Sequence, residues 1–138
     1  MSKYRRFALN KLIRSKINVN SELVKHGCKL ECVVLEEDEY ENSLKAKLME
    51  EAQEVIDFKD KEELIEEIGD LLEVINAISS FYKISRSEIE RKREEKKEKK
   101  GGFEERIFAK YLDIPSDCST IASYYEERAE KYPEIELL

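Results

Sequence analysis

Glu50-Glu51-Ala52-Gln53-Glu54 and Glu66-Glu67-Ile68-Gly69-Asp70 are the residues of this chain whose types and spacing could do chemistry. Positions three apart on an α-helix point to nearly the same side, so Glu51 with Glu54, and Glu67 with Asp70, each form a two-pronged oxygen claw. Phe58-Lys59-Asp60-Lys61-Glu62 reads as the turn between two helices that fold back on one another and bring the claws face to face. Carboxylates gathered in this way repel, and one pair at about 4 Å costs roughly 4 kcal/mol at an effective dielectric near 20. Such a cluster is stable with cations in it, and hard oxygen ligands favour Mg²⁺, with Mn²⁺ also suited.

The same acids have a plainer reading. Asp and Glu make up 32 of the 138 residues, so acidic pairs at helical spacing arise by chance, mostly as solvated faces. Spacing alone leaves both readings open. Position favours the metal, because these acids lie beside the apolar stripes of their helices, whereas a solvated face would lie opposite.

Two long helices must carry the claws. The first is predicted from about Tyr40 to Phe58, with Leu44, Leu48, Glu51, Ala52, Val55 and Phe58 along one side, and the second from about Lys61 to Tyr82. Leu64, Ile68, Leu71, Ile75 and Ile78 form the stripe of the second. Gly69 inside it costs roughly 1 kcal/mol against Ala; it either admits a partner backbone or ligand, or is a tolerated packing glycine. A third helix opens on a capping box, Ser85 with Glu88. It runs almost wholly charged to Lys100, where Gly101-Gly102 ends it. Upstream, Ser21 is placed to cap a short helix through Lys25 that Gly27 terminates, after Asn18 to Asn20 break the pattern before it. Lys29 to Leu35 reads as a strand with Cys32 facing inward. Beyond Ile114, Pro115-Ser116-Asp117 starts a last helix with a thin stripe of Ile121, Tyr125, Arg128 and Tyr132, stopped by Pro133.

Composition bounds the function. A chain of 138 residues is one domain with an appended segment, and its 41% of charged residues with clear apolar periodicity fits a helix-rich, ion-paired protein. The net charge of −7 argues against nucleic-acid binding, which needs a basic face. A small phosphorylated ligand stays admissible, because a bound divalent metal reverses the local sign. The apolar runs fall short of a membrane span, and Met1 to Arg6 lacks a signal-peptide core; no membrane partner and a soluble cytoplasmic protein are the expectation. Cys28, Cys32 and Cys118, odd in number, suit reduced thiols. His26-x-Cys28-x-x-x-Cys32 supplies only three ligands, so His26 reads as a surface histidine and zinc is not expected.

Three segments together resemble a known family. Asn10-Lys11-Leu12-Ile13-Arg14-Ser15-Lys16-Ile17 is similar to an N-terminal signature of the all-α nucleoside triphosphate pyrophosphatase superfamily, in its MazG-like and phosphoribosyl-ATP pyrophosphohydrolase-like branch. Leu48 to Glu54 and Glu66 to Leu72 resemble its Glu-Glu-x-x-Glu then Glu-x-x-Asp metal motif, and Lys99-Lys100-Gly101-Gly102-Phe103 its closing motif. The resemblance runs in order over about residues 8 to 112. The chain departs from the family's Arg-Asp-Lys-Ile-Pro at Arg14-Ser15-Lys16-Ile17-Asn18, losing an acid and a proline.

The resemblance implies an all-α fold: an antiparallel helical bundle of MazG-like type, completed by association into a homodimer or homotetramer, with a short extended segment near residues 29–35. Residues 1–113 would form the pyrophosphohydrolase domain and 114–138 a helical C-terminal extension. It implies that Glu51, Glu54, Glu67 and Asp70 ligate Mg²⁺ and serve catalysis. The substrate would be a nucleoside triphosphate, canonical or modified, cleaved to monophosphate and pyrophosphate. Glu54 is the candidate to take a proton from the attacking water, and Glu50 the less central carboxylate. Lys92, Lys96 and Lys99, near one face of the third helix, with Lys100, Lys11 and Arg14, would hold phosphates; the alternative is a solvated Glu/Lys helix. Phe103 would stack on a base or simply anchor a turn. Phosphoribosyl-ATP hydrolysis in histidine biosynthesis, a non-catalytic nucleotide-binding bundle and a plain helical interaction module are the competing readings.

Overall fold

The computed structural model describes residues 3–17 and 22–137, and every regular element among them is helical. The elements are α1 (Glu22–Lys25), α2 (Glu37–Ile56), α3 (Lys61–Phe81), α4 (Arg86–Lys100) and α5 (Ser119–Glu126). The chain divides into two compact units, Met1–Lys99 and Lys100–Leu138.

α2 and α3 are the helices that pack extensively on one another, as an antiparallel hairpin. Glu37, Asp38 and Glu39 crowd the first turn of α2, where the helix dipole favours negative charge. The link over residues 57–60 contains neither glycine nor proline. It works because Asp60 caps α3, its carboxylate accepting from the Glu63 N–H at 2.9 Å, a bond worth about 1 kcal/mol. At the open end, Tyr40 meets Phe81 edge to face with ring centres 5.5 Å apart, and the Tyr82 hydroxyl donates to Glu41. The short link closes one end of the hairpin and these cross-helix contacts hold the other, which fixes the axial register of α2 against α3.

Leu44 and Val74 are the buried apolar side chains among the described residues, one from each helix. Gly69 faces open space, since a Cβ built there meets nothing within 4 Å.

α4 begins as its sequence dictates. The Ser85 N–H and hydroxyl both donate to Glu88, at 2.8 and 2.9 Å, and the Glu88 N–H donates back to the Ser85 hydroxyl. It ends at Gly101, whose φ of +78° is the left-handed cap that glycine supplies without strain. Gly27 does the same after α1 at φ +77°. The expected cap at Ser21 and the break at Asn18 to Asn20 lie outside the described residues.

The expected strand over Lys29 to Leu35 does not form. Residues 28–36 are irregular, Val33 and Val34 point to solvent, and Cys32 is exposed rather than turned inward. An alternating pattern makes a strand only beside a second strand that takes up its backbone hydrogen bonds, and the described residues offer none. His26 is on the surface as expected, beside Glu22 at 3.8 Å. The last helix starts later than Pro115-Ser116-Asp117, at Ser119, after a turn in which the Cys118 N–H donates to the Pro115 carbonyl.

Candidate metal centre

The hairpin brings three of the four predicted carboxylates together. Glu51 comes from α2 and is buried; Glu67 and Asp70 come from α3, one turn apart and half-buried. One oxygen from each lies within 4.8 Å of the others. Glu54 stands on the next turn of α2, exposed and outside this group. Its charge still reaches the cluster. The Glu67 carboxyl is held above its ordinary value by desolvation and then by the charges of Glu54, Asp70, Glu51 and Glu63.

Desolvation leads that upward displacement, and the crowding of acid by acid adds to it. The donor set suits a hard dication: three carboxylates on two helices, all oxygen, with no thiol or imidazole. Mg²⁺ takes oxygens at about 2.0–2.1 Å, so the three side chains would draw closer together to hold it. The residues present fit the ion.

Among the described residues, two cations already touch the cluster. Arg14 donates to an Asp70 oxygen at 2.7 Å. Lys47 lies 3.0 Å from Glu51 and 3.3 Å from Glu50. Lys47 was not among the residues the sequence singled out. Its signal was present, as a lysine three and four residues before two glutamates on one helix, but that spacing is common on solvated faces. Here burial sets it apart, its side chain being only 18% exposed. Burial pushes the Lys47 ammonium down, yet its bonds and charges with Glu51 and Glu50 outweigh that and hold it above its ordinary value. Glu50 is neither in the oxygen cluster nor turned away from the chain. Partial burial raises its carboxyl, but Lys11 at 3.1 Å and Lys47 bring it net below the usual range.

The N-terminal segment supplies the roof. Leu12, Ile13 and Arg14 line a cavity of about 320 Å³ whose floor includes Leu44, Glu51, Asp70 and Val74. A second cavity of about 290 Å³ lies beside Lys11 and Glu50. Lys11 and Arg14, expected from the sequence to hold phosphate, here pair with Glu50 and Asp70. Lys92, Lys96 and Lys99 line neither cavity; they are exposed along α4, and Lys92 pairs with Glu95 at 3.6 Å. Lys100 and Phe103 belong to the second unit, where Phe103 is solvent-exposed.

Residues 39–100 match the model of the MazG nucleotide pyrophosphohydrolase domain. The matched stretch holds all four predicted carboxylates, Lys47 and the whole of α3 and α4, whereas Lys11, Arg14 and Phe103 fall outside it. Neither a curated protein nor a solved structure matches the chain.

Proposed function

With residues 39–100 identified as a MazG-type nucleotide pyrophosphohydrolase domain, we propose that this protein hydrolyses a nucleoside triphosphate to its monophosphate and pyrophosphate with Mg²⁺ held by Glu51, Glu67 and Asp70. The observation that carries the reading is the gathering of three carboxylate oxygens from two helices within 4.8 Å, inside the matched stretch. Bound there, the dication would neutralise charge on the phosphate oxygens of the substrate. Glu54, next to the cluster and solvent-accessible, completes the set by accepting the proton of the attacking water. Arg14, lining the cavity over Glu51 and Asp70, and Lys11, lining the one beside Glu50, are the cations placed to meet phosphate, and Arg14 offers the forked donor that phosphate oxygens take best. Lys92, Lys96 and Lys99, exposed along α4, are the further cations that the family resemblance offers to phosphate.

The working form is a homo-oligomer, with the dimer as its basic unit. Ile65, Ile68, Leu72 and Ile75 are 37–56% exposed along α3. Their 3-4-3 spacing is that of a coiled-coil seam, with no charge among them. An antiparallel second copy centred near residue 70 sets Ile65 against Ile75 and Ile68 against Leu72, the self-complementarity a two-fold interface needs. Ile68→Asp is expected to shift the chain to a smaller species in sedimentation equilibrium.

The test of the activity is pyrophosphate release from a panel of canonical and modified nucleoside triphosphates plus phosphoribosyl-ATP, in Mg²⁺ or EDTA, for wild type and Glu67→Ala. Metal-dependent release that the variant loses supports the reading, and the preferred panel member names the substrate. Silence across the panel, with no metal-dependent stabilisation of the fold, overturns it.

A further inference from the structure

Two internal cations touch the cluster, and they are held very differently. Lys47 bridges Glu51 and Glu50 on its own helix, with both members of the Lys47–Glu51 pair less than a fifth exposed. Arg14 reaches Asp70 from the segment before α1, across 56 residues of chain, and its pair is 63% and 41% exposed. A pair that open to solvent contributes little and separates readily. A dication taking oxygens of Glu51, Glu67 and Asp70 would stand within a few ångströms of the Arg14 guanidinium, and like charges at that range repel strongly. Of the two cations, Arg14 is the one free to leave.

We propose that Arg14 is a displaceable counter-cation of the metal centre: dication binding breaks the Arg14–Asp70 pair, lifts the roof over residues 12–15 and hands the guanidinium to the substrate's phosphate. The inference rests on the metal reading above and deepens it by coupling metal loading to the N-terminal segment. The segment has a second ionic tether, Lys11 to Glu50 at 3.1 Å, on an acid outside the oxygen cluster. That tether survives metal binding. The segment therefore swings at its Arg14 end while Lys11 holds the other. Leu12 and Ile13, half-buried in the same roof, are the apolar contacts that must loosen with it.

The experiment is Mn²⁺ titration of the full chain at physiological ionic strength without nucleotide, counting free ion by electron paramagnetic resonance. It compares wild type with Arg14→Gln, Glu67→Gln and Lys45→Gln, the last removing a cation that pairs with Glu41 away from the cluster. Arg14→Gln is expected to bind Mn²⁺ on the order of threefold to tenfold more tightly, since the ion no longer competes with a guanidinium. Lys45→Gln should stay within about twofold, because salt screens a charge beyond roughly 8 Å. In wild type, Mn²⁺ should also speed tryptic cleavage after Arg14. Wild type that binds Mn²⁺ with Glu67→Gln failing to, but with Arg14→Gln equal or weaker, overturns the displacement and leaves the metal centre standing. Wild type that takes up no Mn²⁺ overturns both.

Discussion

Two acidic helical regions of this protein make opposite use of the same residue types. Along α4, each glutamate seen in an ion pair has its cation one turn away: Arg93 meets Glu90 at 2.8 Å, Arg91 meets Glu95 at 3.3 Å and Lys92 meets it at 3.6 Å. All of α4 beyond Glu90 is exposed. In the α2–α3 hairpin, Glu51 is buried, Glu67 and Asp70 converge on it from the other helix, and Glu67 is held above its ordinary value by desolvation and then by the charges of its neighbours. Charge alternating along one helix neutralises itself. Charge of one sign converging from two helices repels, and Lys47 and Arg14 offset only part of it. Acid content and spacing are alike in the two regions; convergence is what separates a solvated face from a site.

The sharpest way to break that contrast is to neutralise one acid in each region. Glu67→Gln is expected to lower metal-dependent pyrophosphate release by about 10²-fold or more, as the loss of charge that holds a metal and its substrate does. Glu95→Gln, which cuts two pairs on α4, should leave the rate unchanged. Equal losses from the two variants would put the chemistry somewhere other than the hairpin. A second variant tests the resident cation. Lys47→Met leaves Glu51 buried without its partner at 3.0 Å. Its expected cost is about 1–3 kcal/mol in urea denaturation with EDTA present, because an orphaned buried charge loses more than the pair was worth. Added Mg²⁺ should return part of that loss, since the ion supplies the missing charge.

The helices and the site were legible to different degrees. Apolar period and caps placed α2, α3 and α4 to within a few residues, and the Ser85–Glu88 box and Gly101 end stand where the sequence put them. Those signals are local, and local signals are read from local residues. Residues 29–35 misled because alternation records what a strand would bury, whereas a strand exists only if another one pairs with it. Glu51, Glu67 and Asp70 could be nominated from spacing. That Glu54 stands apart from them depends on how α2 rotates against α3, set by Leu44, Val74 and the Tyr40–Phe81 contact rather than by the motif. Lys47 was invisible for the same reason, since its burial is decided across the hairpin.

The pH dependence sharpens the contrast within the hairpin itself. Glu50, lowered by Lys11 and Lys47 against partial burial, binds its proton less readily folded than unfolded. Its contribution is present above the ordinary carboxylate value and fades as pH falls through the lowered one. Lys47 is raised, its pairs with Glu51 and Glu50 outweighing burial, so its contribution is full below its ordinary value and fades as pH climbs through the raised one. Glu67 runs the other way. Its raised value means the fold holds that proton more tightly than the unfolded chain, so stability declines as pH rises through the window just above the ordinary carboxylate value. In EDTA at neutral pH, Glu67→Gln should therefore melt slightly above wild type. With Mg²⁺ the order should reverse, because only wild type gains from binding the ion. A variant that melts below wild type in both conditions would mean Glu67 is held by favourable partners and is not repelled by its neighbours.

The smallest effect is expected on α4. Each of its ion pairs lies on an exposed face, where such pairs are worth a few tenths of a kcal/mol and less in salt. Arg93→Gln, which removes a two-pronged contact with Glu90 at 2.9 and 2.8 Å, should shift the urea midpoint barely beyond error at low salt and not at all near 1 M. The comparison with Lys47→Met is the point of the measurement. Arg93 meets both oxygens of one exposed glutamate, whereas Lys47 bridges two glutamates while itself largely buried. If Arg93→Gln cost as much as Lys47→Met, α4 would have to be packed against a surface that desolvates it, such as a second copy of the chain, and its lysines would then belong to an interface.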